Sequence, residues 1–183
     1  SLRQYKLVYF AYPLMMPEAA AKVLRAYVEK GGALVAEARM GWNNERGMAA
    51  DRIPGMGLWE VMGCRESEIS TGDKGRTEIR FTAAFAGMKA GDVLPARWYE
   101  EALAAMNPNA RVVAEFSGGR PAAIESRFGK GKTLTLGSYV SAAYFTTPSD
   151  AAARFFAGLL EWAGVTMPVE TAAKNVEVRY LES

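Results

Sequence analysis

The spacing of apolar positions changes several times along the chain, and each change marks an element. Lys6 to Tyr12, KLVYFAY, is a continuous β-rich run of the kind buried on both faces of a parallel sheet. From Pro17 the period becomes helical. Ala20, Val23, Leu24, Tyr27 and Val28 form one apolar stripe to lay on a sheet. Pro17 suits a first helical position and Glu18 the positive helix end, while Lys30 and Gly31 supply a basic last turn and a left-handed cap. Ala33 to Ala38, ALVAEA, is a second buried strand, so strand, helix and strand together predict a right-handed parallel crossover.

The loop from Arg39 to Pro54 is long for a compact domain, and such loops tend to be functional or mobile. Gly57 to Gly63 predicts a short helix. Arg65 to Ser70 and Thr77 to Phe81 alternate polar and apolar residues around TGDKG, which predicts a β-hairpin with one wet face. Arg97 to Met106 fits a helix and the preceding DVLPARW fits a strand, and both remain open. Strands are expected at Arg111 to Phe116, Pro121 to Arg127 and Thr133 to Ser138, separated by the turns SGGR and FGKGK. Ser149 caps a last helix whose apolar face carries Ala152, Phe155, Phe156, Leu159, Leu160 and Trp162, and Gly164 ends it. The remaining tail contains a strand-like VEVRYL.

Composition narrows the chemistry. The 183 residues suffice for one domain with a substantial core. Charges are interleaved and sum to +2, without the basic stripe of a nucleic-acid binder, so no nucleic-acid partner is expected. No apolar run reaches the length of a membrane span, and no membrane partner is expected. The single cysteine allows no internal disulfide, which is compatible with the cytoplasm and leaves the compartment open. Most restrictive is the absence of histidine. It excludes a Ser-His-Asp or Cys-His pair within this chain and the usual histidine-bearing zinc sites, so neither metal nor cofactor is expected.

Several motifs weaken on inspection. GKGKT at Gly129 to Thr133 ends like a phosphate loop, but Ser126 stands where the first glycine belongs and a strand follows; it reads as a hairpin turn. GMGLWE has Glu60 in place of the third glycine of a dinucleotide fingerprint. Cys64 is followed by Arg65 and Glu66, too large for a nucleophile elbow, and reads as a structural thiol. Glu66 with Glu68 is expected on the solvent face of a strand, and Glu100 with Glu101 on the outside of a helix. Glu37 lies among alanines near a strand end, where a carboxylate needs a partner or a shifted pKa. Arg39, two residues on, is the expected partner in a buried polar pair; a ligand-binding role is the alternative. The loop residues Arg39, Trp42, Asn43, Asn44, Glu45 and Arg46 suit contact with a sugar, suit a polar subunit interface, and equally suit a tryptophan packed back on its own domain.

Taken in order, the stretches YKLVYFAYPLMMPEAAAKVLRAYVEKGGALVAEARMGWNNERG, IPGMGLWEVMGCRESE, GGRPAAIESRFGKGKTLTLGSY and FFAGLLEWAGV resemble the middle domain of glycoside hydrolase family 42 beta-galactosidases. The short helix is matched at Pro54, Gly55, Leu58, Glu60 and Gly63, and the likeness covers about residues 5 to 168. The resemblance implies an α/β, flavodoxin-like fold akin to class I glutamine amidotransferases without their triad: a mainly parallel sheet flanked by helices, with an added antiparallel hairpin. It implies residues 1–168 as a trimerisation domain and 169–183 as a tail that opens a C-terminal β domain. The family also begins with a strand and helix before YKLV, which this sequence lacks, so a segment cut from a longer polypeptide is expected, the alternative being a standalone relative with a reorganised sheet. The partners implied are further copies in a trimer, the catalytic barrel of the parent chain, and galactoside at a neighbour's site. Gly41 and Glu45 match the family loop, whereas Trp42, Asn43 and Asn44 depart from it. The expected function is a non-catalytic oligomerisation domain of a beta-galactosidase-like hydrolase. The competing readings are an independent amidotransferase-like enzyme using Glu37, Arg39 or Tyr99, and a small-ligand or carbohydrate-binding domain.

Overall fold

In the computed structural model, residues 2–166 are described. The tail motif VEVRYL and the expected boundary between residues 168 and 169 lie outside them. Seven strands form one sheet in the order β1-β2-β7-β6-β5-β3-β4. The first three are β1 (Leu7–Phe10), β2 (Ala33–Ala36) and β7 (Gly131–Leu136), and they pair in parallel. β6 (Pro121–Phe128), β5 (Arg111–Glu115), β3 (Cys64–Phe81) and β4 (Val93–Ala105) continue the sheet by antiparallel pairing. The α/β class with flanking helices is as expected, but the sheet is mixed and its parallel pairs are the minority. The short turns at residues 117–120 and 129–130 return the chain antiparallel, and only the crossover through α1 (Glu18–Glu29) and the late return to β7 give parallel neighbours.

Strand alternation sends side chains to two cores. On β2, Leu34 and Ala36 face the cluster with α1 and α2 (Leu58–Met62), while Val35 faces the opposite cluster with α4 (Asp150–Trp162). β7 splits its TLTL the same way. Leu134 and Leu136 enter the α4 core. Thr133 and Thr135 are buried elsewhere, with their hydroxyls satisfied by the Met62 carbonyl and by the Cys64 thiol. Cys64 is therefore structural, as expected, and burial pushes its thiol up to about 12. At the α2 cap, Gly63 has φ 69° and a β-carbon would lie 2.2 Å from Ser126 Oγ, so only glycine fits.

Other expectations are corrected. β1 is an edge strand of half-buried residues, because its second neighbour in a parallel sheet is missing among the described residues. On α1 the buried stripe runs through Ala21, Leu24, Tyr27 and Val28, while Val23 faces solvent. The final helix is as expected: Ser149 Oγ accepts from Ala152 N, and Phe155 and Leu159 are buried.

The largest correction concerns residues 64–105. The stretch read as a hairpin around TGDKG is one long strand, β3, and the stretch fitting a helix from Arg97 is part of β4. The two pair along their length, and residues 72–75 within TGDKG bulge between the paired Thr71 and Arg76, opposite Trp98 alone. The arm joins β5 only at Arg80 and Phe81. Its other part crosses the carboxyl ends of the parallel strands, where Glu101 N donates to the Gly137 carbonyl and Arg97 N to that of Tyr139.

Candidate functional site

The carboxyl ends of β1, β2 and β7 thus receive side chains from β4 and from α3 (Val140–Thr146). Glu37 follows β2 and is fully buried. Its Oε1 accepts from the Tyr9 hydroxyl at 2.7 Å and from Ser141 N at 2.6 Å, and its Oε2 accepts from Ser141 Oγ at 2.7 Å. Burial raises the carboxyl to about 7 against these donors, which favour the charged form.

Arg39 does not complete the expected pair. Its φ of 60° puts it in the left-handed region just beyond the strand end, so strand alternation no longer holds its side chain beside that of Glu37. The guanidinium instead donates to Glu66 Oε2 at 3.1 Å and lies 3.9 Å over the Trp42 ring and 5.8 Å from the Tyr99 ring. Its backbone N–H donates to Glu101 Oε2 at 2.7 Å. Glu101, expected on a helix exterior, is buried on β4. Its Oε1 has no hydrogen-bond partner. Burial, with repulsion from Glu66, pushes its carboxyl to about 8 against the Arg39 N–H and guanidinium. Glu101 therefore keeps its proton at neutral pH. Glu66 and Glu68 also part company: a register shift at Ser67 separates them, so Glu66 turns to Arg39 while Glu68 stays exposed beside Arg120. Glu100 contacts Arg120 and accepts from Thr77 Oγ at 2.6 Å.

The loop after Arg39 uses its polar groups on itself. Asn44 Oδ1 accepts from the backbone N–H of Arg46 and Met48, and Asn43 Nδ2 donates to the Gly47 carbonyl. A bond to its own backbone, and after it the bond that Oε2 accepts from Glu18 N at the start of α1, lowers the Glu45 carboxyl. Arg46 is exposed at the tip. Trp42 is half-buried beneath Arg39. Asn43, Asn44 and Glu45 thus each have one side-chain atom tied down, within the loop or to the start of α1.

The exposed recognition chemistry lies beside this loop, on residues that the sequence pattern did not single out. Tyr12 stacks on Tyr139 with ring centroids 4.5 Å apart, and Trp98 meets both rings edge-on. Trp98 has φ 69°, unusual for a bulky residue, and its indole leans on Gly75 of the opposing bulge. Tyr12 and Trp98 separate two open apolar hollows of about 520 and 690 Å³. The larger continues over Tyr144, Phe156 and Phe145, which is 89% exposed. The signal available in the sequence was a bulky residue opposite a glycine-rich segment, legible only once the two strands are known to pair. Glu37 and Glu101 line neither hollow.

Comparison with known proteins gives a consistent result. Among solved structures, the beta-galactosidase from Bacillus circulans sp. alkalophilus matches at 25% identity and TM-score 0.74, over 90% of this chain and 23% of its own. The cold-adapted beta-galactosidase from Rahnella sp. R3 matches at 23% identity and TM-score 0.78, over 95% of this chain and 25% of its own. A cytoplasmic protein of Salmonella typhimurium LT2 shares the fold at 16% identity and TM-score 0.62, over 88% of this chain and 73% of its own. The chain spans about a quarter of the length of the two galactosidases. Among curated proteins no sequence match was found. The family described as Beta-galactosidase trimerisation domain matches residues 1–166, and this chain belongs to that family.

Proposed function

We propose that this chain is a non-catalytic assembly module of a beta-galactosidase-like glycoside hydrolase, with further copies of itself and a catalytic barrel as partners. The observation that carries this reading is the aromatic ridge of Tyr12, Trp98 and Phe145. A contiguous exposed aromatic patch marks an interaction surface, and Trp and Tyr are the residues that anchor such contacts. Left-handed backbone at a tryptophan costs on the order of 1–3 kcal/mol, a cost that interior packing does not require of a half-exposed side chain.

The buried carboxylates support the absence of chemistry in this chain. Glu37 is engaged by three donors, Glu101 is sealed from the hollows, and neither is placed to meet a substrate. In this reading the Arg39 to Arg46 loop stands next to the ridge and lies near a neighbour's sugar site as a wall, with Asn43 and Asn44 each bracing the loop through one side-chain atom.

Sedimentation velocity on the chain and on a Trp98→Ala, Phe145→Ser double variant tests the proposal. Self-association that the double variant abolishes while retaining its circular dichroism supports it. Association unchanged in the variant, or turnover of a chromogenic galactoside by the chain alone, overturns it.

A further inference from the structure

Helix α3 is seven residues long and carries the outer part of the ridge, Tyr144 and Phe145. A helix this short has little stability of its own, so its position depends on what holds it. Val140 and Ala143 are buried and the Tyr139 backbone pairs with Arg97 of β4, and the side chain that hydrogen-bonds the first turn from another element is Glu37. Glu37 reaches from the end of β2 to bind Ser141 through both the backbone N–H and the hydroxyl, and the same carboxylate takes the Tyr9 hydroxyl from β1. Three elements meet on one buried acid.

We propose that Glu37 is a latch for α3, a positioning residue whose protonation state sets how firmly the helix and its part of the ridge stay docked. The inference extends the assembly reading above but stands on the latch geometry. The ionisable groups facing Glu37 are Tyr9 on β1, Tyr12 beyond it, and Tyr139 leading into α3. Each is a phenol whose own ionisation is raised, so Glu37 is the group among them that titrates near neutral pH.

The direction follows from linkage. With α3 docked, burial holds the carboxyl at about 7, above its ordinary 4.5. Undocking lets water reach Glu37 and returns it toward the ordinary range. The docked state therefore binds the proton more tightly, and docking weakens as pH rises from about 4.5, with the loss complete above about 7. The three donors soften this dependence by stabilising the charged form, but burial outweighs them.

Hydrogen exchange on the full chain between pH 5.5 and 9, corrected for intrinsic rates, reads the latch directly. Protection of the Ala143 to Thr146 amides is expected to fall by up to about tenfold per pH unit up to about pH 7, the slope of one released proton, and to level off above it. Amides in the middle of α4 should keep their protection. Glu37→Gln, which cannot ionise, should show α3 protection without that slope. Ser141→Ala should lower protection at every pH while retaining the slope. A flat wild-type profile, a slope surviving in Glu37→Gln, or parallel loosening of α4 overturns the latch. Should Glu37→Gln fail to fold, Ser141→Ala decides alone: protection equal to wild type overturns the proposal. Sedimentation across the same pH range distinguishes the two readings. A latch slope without any self-association leaves Glu37 as proposed and removes the assembly reading instead.

Discussion

Two acids sit under the same strand ends, equally removed from water, and they have opposite surroundings. Around Glu37, a phenol, a backbone amide and a serine hydroxyl converge, and all of them donate. Around Glu101 there is one donor, the Arg39 amide, with the Glu66 carboxylate nearby and one oxygen left unbonded. The first site accommodates a charge in part, whereas the second tolerates the residue only with its proton on. Burial alone does not decide what a carboxylate does; the sign of its neighbours does.

The comparison can be tested first at Glu101. In the fold both carboxyls titrate above the ordinary 4.5, at about 7 and about 8, so the folded state holds more protons between pH 4.5 and 8. Stability contributed by these groups is complete below about pH 4.5 and declines as pH rises, with the loss finished above about 8. Glu101→Gln removes the larger share of that decline. Its unfolding free energy should exceed wild type by roughly 3–5 kcal/mol at pH 9 and differ little at pH 5, measured by urea titration at both. A penalty at pH 9 would mean that Glu101 is charged and paired after all.

Tyr9→Phe sharpens the other side of the comparison. Losing one donor to a charged acceptor should cost about 1.5–3 kcal/mol at pH 8 and visibly less at pH 5, where the acid is neutral. It should also move the Glu37 midpoint upward, observable as its carboxyl carbon shift by NMR. Next comes the loop. Asn44→Ala removes the acceptor for two backbone amides at an exposed turn, for an expected loss of about 1 kcal/mol in thermal unfolding with no pH dependence. At the small end, Arg25→Ala breaks an ion pair to Glu60 that is open to water on both sides, and less than about 0.5 kcal/mol should be lost.

The elements made by local pattern were legible in the sequence. The helical spacing before Val28, the Ser149 cap, the GKG turn and the TLTL strand each encode their conformation within a few residues. The β3–β4 arm was not, because its partners are non-local. TGDKG has the composition of a turn and becomes a bulge only because β4 continues the ladder on both sides of it. Arg97 to Met106 has helix-forming composition, and the pairing with β3 overrides that preference. The site suffered from the same cause. Glu101 reads as a surface acid until β4 is laid across the ends of the parallel strands, and Arg39 reads as the partner of Glu37 until its left-handed backbone turns it to Glu66. Trp42, which does stand out by composition, is the tryptophan already covered by its own arginine.

The bulge opposite Trp98 has a further consequence for how this fold can be altered. Between the paired positions Thr71–Tyr99 and Arg76–Arg97, four residues (72 to 75) stand against one. The strand therefore carries three more residues than an even ladder needs. Excising that surplus would leave every flanking pair opposite its present mate, with each side chain on the face it occupies now. What would disappear is the ledge beneath the indole. A chain edited in this way would separate the arm's role as scaffold from its role in presentation, because the first depends on register and the second on the extra length.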